Sequence, residues 1–285
     1  MTKEKPHLSA TQLDMFCRCP EAWRRRYIEK EIVAPRAAML RGSSIHIAAE
    51  TNMRQKIESH EDMPAQDIID LAVSTYQDKI KHESYEIGPG ETSRDVERAA
   101  DTVAAMAEVH ARQQAPDYQP QAVEEKFRLE LPTSHDIVGV IDLLTDSNEV
   151  VDFKTGKRAQ SADDADNSTQ LSLYAIAVQQ KTGSDTVITK LDCLTEPSAR
   201  TPARRKVIES VRDKTDLPII AARVAVVSQA IEAGLFPPAA PGSWNCSQAW
   251  CGYWSTCKFV NSDRITDARL AQEALKTLSK LEPKD

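Results

Sequence analysis

No apolar run in the 285 residues approaches the roughly 20 that a membrane-spanning helix needs. The opening M-T-K-E-K-P-H has no apolar core of the kind a secretion signal uses, so a cytoplasmic protein without a membrane partner is expected. Internal repeats and low-complexity tracts are also missing, which argues against solenoid and array architectures. Nor is positive charge in excess: 36 Lys and Arg stand against 43 Asp and Glu, a net charge of −7. That disfavours a surface that coats polyanions indiscriminately. It leaves room for a local basic groove, and the acidic excess includes any carboxylates that a bound cation would neutralise.

The chain is 41% hydrophobic and 28% charged, ordinary for a globular protein, and long enough to bury a sizeable core. S-A-T-Q at 9–12 fits a helical capping box, and Pro20 suits the first turn of a second helix through W-R-R-R-Y-I-E-K. Helical patterning resumes over 43–58, 65–82 and 93–114, with Pro64 and G-P-G at 88–90 as breaks. From Gln121 the period changes to two: strands are expected over 122–131, 137–144, 149–154 and 186–194. Amphipathic helices are expected over 169–180 and 217–233, and a peripheral one over 263–281. Between these last two, F-P-P-A-A-P-G from Phe236 leads into an irregular segment. The expectation is one α/β domain in consecutive parts: an N-terminal helical part (8–120), an α/β core (121–235), a cysteine loop (236–260) and a peripheral helix (261–285).

The most informative stretch is G-V-I-D-L-L-T-D-S-N-E-V-V-D-F-K-T-G-K, residues 139–157. D-S-N at 146–148 is turn chemistry, and a hairpin centred near Ser147 pairs residues whose numbers sum to about 294. Asp142 then faces Asp152, and Lys154 projects from the same face as Asp152. Ile141, Leu143, Val151 and Phe153 take the other face and fill the core. Like charges facing each other on a sheet are destabilising, so the pair calls for a cation or for one protonated carboxyl. A divalent ion with oxygen ligands fits, and a lysine beside it can assist an attacking water or steady charge on phosphate. That is equipment for hydrolysing a phosphodiester. A solvated hairpin face, with Lys154 merely pairing Asp152, is the plain alternative.

Asp142, Asp152 and Lys154, as G-V-I-D and V-V-D-F-K-T-G, resemble the D…(D/E)-x-K signature of the PD-(D/E)XK nucleases. More narrowly they are similar to the RecB-type branch, with its AddB-like, CRISPR-associated and phage iron–sulfur nucleases. R-G-S-S-I-H resembles that branch's G-x-x-x-H, Q-L-S-L-Y its Q-x-x-x-Y, and L-S-A-T-Q-L-D-M-F-C-R-C-P its opening motif. The resemblance runs from residue 8 to residue 257. It implies a restriction-endonuclease-like core: a central mixed sheet flanked by helices, with an N-terminal helical part and a cysteine-bearing C-terminal segment. It implies that His46, Asp142, Asp152 and the Phe153 carbonyl bind Mg²⁺ or Mn²⁺, that Lys154 assists the attacking water, and that Gln170 and Tyr174 position DNA or the site. The function it implies is a DNA exonuclease acting on single-stranded ends in recombination, repair or phage DNA metabolism, with a possible helicase or recombination partner, in a bacterial cell or phage-infected host. A DNA-holding subunit without catalysis, or a structure-specific endonuclease with the same residues, are the alternatives.

Cys246, Cys251 and Cys257 crowd into thirteen positions and suit an iron–sulfur cluster or zinc. The resemblance supplies Cys19 as fourth ligand and points to 4Fe–4S, although C-x4-C-x5-C has a first spacing longer by two than the common C-x2-C-x5-C. Cys17 competes for the fourth place, and Cys193 reads as a core thiol. Basic residues cluster at Arg18, Arg24, Arg25 and Arg26, at Lys157 and Arg158, and at Arg200, Arg204, Arg205 and Lys206. Near a hydrolytic site such clusters could track phosphates, with Arg24 and Arg25 on DNA and Trp23 or Tyr27 stacking on bases.

Overall fold

Residues 5–260 and Lys276 are described by a computed structural model of the chain. They fall into two compact units. Among the described residues the first draws on 5–33, 130–137 and 221–260, and the second on 34–129 and 138–220. The helix expected over 263–281 lies outside the described residues.

In the first unit, β1 (His7–Leu8) pairs in parallel with Asp136 and Ile137. Helices α1 (Ala10–Arg18) and α2 (Pro20–Tyr27) follow at once. Ser9 caps α1 by accepting the Gln12 N–H at 3.3 Å. Cys19 separates the helices in extended conformation, and Pro20, with no N–H to satisfy, opens α2. The C-P dipeptide therefore makes a sharp break that presents the Cys19 thiol between two helices. Phe16, Trp23 and Phe236 pack ring on ring, Trp23 stacked on Phe236 at 6.0 Å. Beyond Phe236 the chain is irregular to Val260, apart from a short turn at Trp254–Thr256, as its prolines require.

The second unit carries α3 (Ala37–Ser59), α4 (Ala65–His82) and α5 (Ser93–Val109). One wide turn at His110–Gln114 follows. Then come β2 (Pro120–Leu129), β3 (Asp136–Thr145, entering from the first unit), β4 (Val150–Gly156), α6 (Ala162–Asp166), α7 (Thr169–Thr182), β5 (Thr186–Thr195) and β6 (Arg204–Asp213). Helix α8 (Asp216–Glu232) begins here. The sheet is mixed: β3–β4 and β5–β6 are antiparallel, β4–β5 is parallel, and β2 joins β3. This is the α/β architecture expected, with α7 crossing over between two parallel strands.

Both faces of the sheet are covered. Ala49 and Met53 of α3 pack with Leu143, Val151 and Phe153 on one side. Leu171, Tyr174, Ala175 and Val178 of α7 pack with Leu144, Val150, Leu191 and Cys193 on the other. The hairpin register, Leu143↔Val151 and Leu144↔Val150, sums to 294 as expected. Asn148, at φ 62°, makes the turn and donates its N–H to the Thr145 carbonyl. One expectation needs correcting. Ile141 does not join Leu143 and Val151; it packs with Leu144, Val150 and Leu191. The ladder ends there because the Phe153 N–H bonds to the Asp142 carboxylate at 3.1 Å.

Strand β6 was not expected from sequence, and its composition explains why. Its inward positions include Ser210 and Arg212, so no apolar alternation marks it. Ser210 bonds to Asp166 at 2.7 Å and Arg212 to the Asp166 carbonyl at 2.7 Å, so α6 supplies partners for both side chains.

Candidate active site

Two close approaches build the site. At Gly42, a Cβ atom would lie 2.6 Å from the Thr155 hydroxyl, so only glycine lets α3 rest this tightly on β4. One helical turn later the same face carries His46, whose Nδ1 sits 3.9 Å from Asp142 Oδ2. The spacing R-G-S-S-I-H thus has a mechanical reason: the glycine seats the helix and the histidine reaches the carboxylate. At Gly139, a Cβ would lie 2.4 Å from the Phe127 ring, which in turn meets Tyr174 edge-on at 5.8 Å. The small residue before Asp142 therefore admits the aromatic wall of the site.

Beyond the hairpin, four side chains form one connected line. Asp152 is fully buried, and Lys154 Nζ lies 2.6 Å from its Oδ2. The same ammonium donates to Gln170 Oε1 at 3.0 Å, and the Gln170 amide donates to the Tyr174 hydroxyl at 2.6 Å. Gln170 and Tyr174, one turn apart on α7, hold the lysine head in place from above. Asp142 and Asp152 repel each other. Burial and then the Asp152 charge push the Asp142 carboxyl up to about 8, while burial raises Asp152 against the pull of Lys154. Asp152 Oδ1 is buried without a hydrogen-bond partner among the described residues. Burial, followed by the charges of Lys154 and His110, lowers His46 to about 4, so its imidazole is neutral at physiological pH and able to donate a lone pair.

A neutral histidine, two mutually repelling carboxylates and an orphaned buried oxygen fit a divalent cation. Among the described residues no three such groups already stand in a finished ion-binding arrangement. The model of the PD-(D/E)XK nuclease superfamily matches residues 7–258. The chain belongs to that superfamily. A Eubacterium rectale protein, described with its crystal structure as a "Putative exonuclease", is similar in fold: TM-score 0.52, 13% identity, covering 85% of this nuclease and 87% of that chain. SSO0001 aligns over 90% of the nuclease and 88% of its own chain at 12% identity, with a TM-score of 0.37. No curated protein matches. Membership makes the chain a phosphodiester hydrolase of a kind that uses divalent cations, with nucleic acid as substrate.

Two residues beside this candidate site went unnoticed in the sequence. Glu124 of β2 sits at φ 52°, a left-handed strand position that costs energy for a residue other than glycine. Its carboxylate is close enough to bear on Asp142 and Tyr174, and burial followed by Glu50 raises its own proton affinity. Two adjacent glutamates in V-E-E-K, where alternation sends one of them inward, were the available signal. His110 was missed too. It is fully buried, bonds to Gln114 at 2.6 Å, and meets the Phe153 ring edge-on at 5.9 Å.

In the first unit, Cys19, Cys246, Cys251 and Cys257 line one cavity of about 880 Å³, and Cys17 is not among its lining. Burial, then the neighbouring cysteines, raises the Cys246 thiol; Cys251 is raised in the same way against a backbone hydrogen bond to Tyr253. Crowded thiols that resist ionising together fit a cationic centre that would bind them as thiolates. Cys193 is buried in the sheet core. The arginines and Trp23 stand differently from expectation. Arg24 pairs with Glu21 at 2.7 Å and with Glu29. Arg25 is buried, bonded to Glu31 and Thr256 at 2.5 Å and lying over the Tyr253 ring at 4.7 Å. Trp23 is buried beneath Phe236 and has no free face for a base. These groups tie α2 to the cysteine segment, and the exposed aromatics are Trp244 and Trp250 instead.

The carboxylate pair gives a pH prediction for the nuclease. An aspartate raised from its ordinary 3.8 to about 8 favours the fold when protonated. That contribution is complete below about pH 4 and is lost as pH rises through about 8. In chelator, the melting temperature of wild type relative to Asp142→Asn should therefore fall between about pH 4 and 8 and level off above that. Adding Mg²⁺ or Mn²⁺ should restore it, by more at the higher pH. A wild-type difference that stays flat with pH would contradict the coupling.

Proposed function

We propose that the chain is a deoxyribonuclease that degrades single-stranded DNA from an end. The observation that carries the reading is the line Asp152–Lys154–Gln170–Tyr174 beside the second carboxylate, Asp142. A DNA-holding subunit has no use for a repelling carboxylate pair or for a lysine head fixed from two sides.

His46, Asp142, Asp152 and the Phe153 carbonyl would hold a divalent cation, with Glu124 as a further carboxylate. A histidine among carboxylates shifts preference toward Mn²⁺ relative to an all-oxygen Mg²⁺ site. When bound, the cation supplies charge neutralisation and activation of water for in-line attack on phosphorus. Lys154 is positioned to orient the attacking oxygen and to offset negative charge on the phosphate. Gln170 fixes the ammonium through its carbonyl, and Tyr174 stays a neutral phenol because burial and the two aspartates oppose its ionisation. Cys19, Cys246, Cys251 and Cys257 would hold a 4Fe–4S cluster that clasps the N- and C-terminal stretches of the first unit. Zinc is the alternative occupant.

The test is anaerobically purified protein with Mn²⁺ or Mg²⁺ on end-labelled linear and covalently closed single strands. Shortening of linear strands with circles intact is expected. Cutting of circles would replace the end-dependent reading with an endonuclease, and binding without cutting would leave only a DNA-holding role.

A further inference from the structure

Where β4 and β5 end and β6 begins, a cavity of about 580 Å³ is lined by Lys157, Arg158, Arg204, Arg205 and Lys206, with Glu196 as its one carboxylate. Glu196 lies 3.1 Å from the buried Arg41, which it shares with Glu91 at 2.8 Å. Arg205 is spent on buried Asp192, at 2.7 Å, and on Asp117 and Tyr118, so it braces the wall. Lys157 has a loose partner in Glu91 at 3.5 Å, and Lys206 donates only to the Gln160 carbonyl at 3.1 Å. Arg158 and Arg204 form no ion pair among the described residues. Arg158, Arg204 and Lys206, exposed and without an ion pair among the described residues, thus converge on a concave polar site, while Lys157 and Arg41 stand against Glu91 and Glu196.

The sheet register relates this cavity to the catalytic lysine. Lys154 pairs with Cys193, and Cys193 with Lys206; Gly156 pairs with Thr195, and Thr195 with Arg204. Laterally paired residues project from the same face of a sheet. Lys206 and Arg204 therefore stand on the face that carries Lys154, two strand spacings away, about 10 Å across. A single strand with its phosphate at Lys154 would carry further phosphates past this point.

We propose that this pocket binds a phosphate of the substrate strand other than the one being cleaved, through Arg158, Arg204 and Lys206. It rests on the reading of the Asp142–Asp152–Lys154 site as a nuclease centre, and it gives that centre a second fixed point on the strand. Guanidinium groups suit a phosphate by forked donation, and hydroxyls of Ser198 and Thr201 share the rim. The bound group is either a terminal phosphate monoester or an internal diester.

The experiment measures binding of labelled single strands across a salt series, in a Lys154→Ala background so that cutting is slowed, with cleavage assayed in parallel on the protein with Lys154 intact. The triple variant Arg158→Ala, Arg204→Ala, Lys206→Ala should bind about tenfold more weakly and lower the slope of log affinity against log salt by about 0.7, the contribution of one phosphate contact on a single strand. The charge-preserving variant Arg158→Lys, Arg204→Lys, Lys206→Arg should keep the slope, which separates lost contacts from a disturbed fold. An alanine variant with the wild-type slope overturns the proposal. Strands with 5′-phosphate, 3′-phosphate or hydroxyl ends identify the source: loss confined to one phosphorylated end assigns a terminal monoester, and equal loss on all assigns an internal diester. A protein that cuts no strand yet shows the reduced slope would sink the nuclease reading while the pocket stands. A cutting enzyme with an unchanged slope would sink the pocket alone.

Discussion

Lys154→Ala is expected to lower the rate of metal-dependent DNA cleavage by about 10²–10³-fold, the scale seen when one positioned donor to developing charge is removed. The reason is geometric. The ammonium is held 2.6 Å from Asp152 and 3.0 Å from Gln170, which fixes it beside the carboxylate pair. The variant also takes away the partner of a buried carboxylate, which costs stability unless Asp152 takes up a proton. Burial already favours that proton, so the fold should persist with a modest drop in melting temperature. DNA affinity should stay within a few-fold of wild type, since one contact of several is lost. Gln170→Ala should fall between the two, with cleavage reduced and Lys154 still present. Equal cleavage by wild type and Lys154→Ala would remove the lysine from the chemistry.

Cys19→Ala is expected to have the largest effect on the first unit. Cys19 stands at the break between α1 and α2, and the other three cavity thiols come from residues 246–257, more than two hundred positions later. A centre bound by all four would tie those stretches together. Removing one thiolate leaves three crowded thiols and an open cavity. The wild-type protein should show a broad absorbance near ~400 nm that is lost in Cys19→Ala, with a clear fall in thermal stability. Cys17→Ala should change neither, because Cys17 is exposed and does not line the cavity. A colourless protein loaded with zinc would assign the other metal, and a loss that follows Cys17 would move the fourth ligand.

The hairpin of residues 139–157 was legible because its signals are local. A turn of D-S-N chemistry fixes the register, and the register alone brings Asp142 toward Asp152 and Lys154. Helix α7 was legible for the same reason, its apolar face and Ser168 cap being written in one short stretch. What escaped depends on partners distant in sequence. Strand β6 hides its inward face behind Ser210 and Arg212, which only α6 makes tolerable. Glu124 becomes a site residue through a left-handed kink that alternation cannot foresee. Arg25 and Trp23 looked available to DNA because charge and aromaticity are visible in sequence, while their burial against Tyr253 and Phe236 is not. Gly42 is visible in R-G-S-S-I-H as the glycine of a motif, but the reason for it is not until Thr155 is seen 2.6 Å from where its Cβ would be.

The central claim is that Asp142 and Asp152 form a cation-dependent centre for cutting phosphodiesters. It is tested most directly by single-turnover cleavage of an end-labelled single strand, comparing wild type with Asp142→Asn in Mn²⁺ and in chelator. Wild type should cut only with the cation, and Asp142→Asn should not cut in either condition while melting higher than wild type in chelator near pH 8. Cleavage by wild type in chelator, or cleavage by Asp142→Asn at the wild-type rate, would contradict the account.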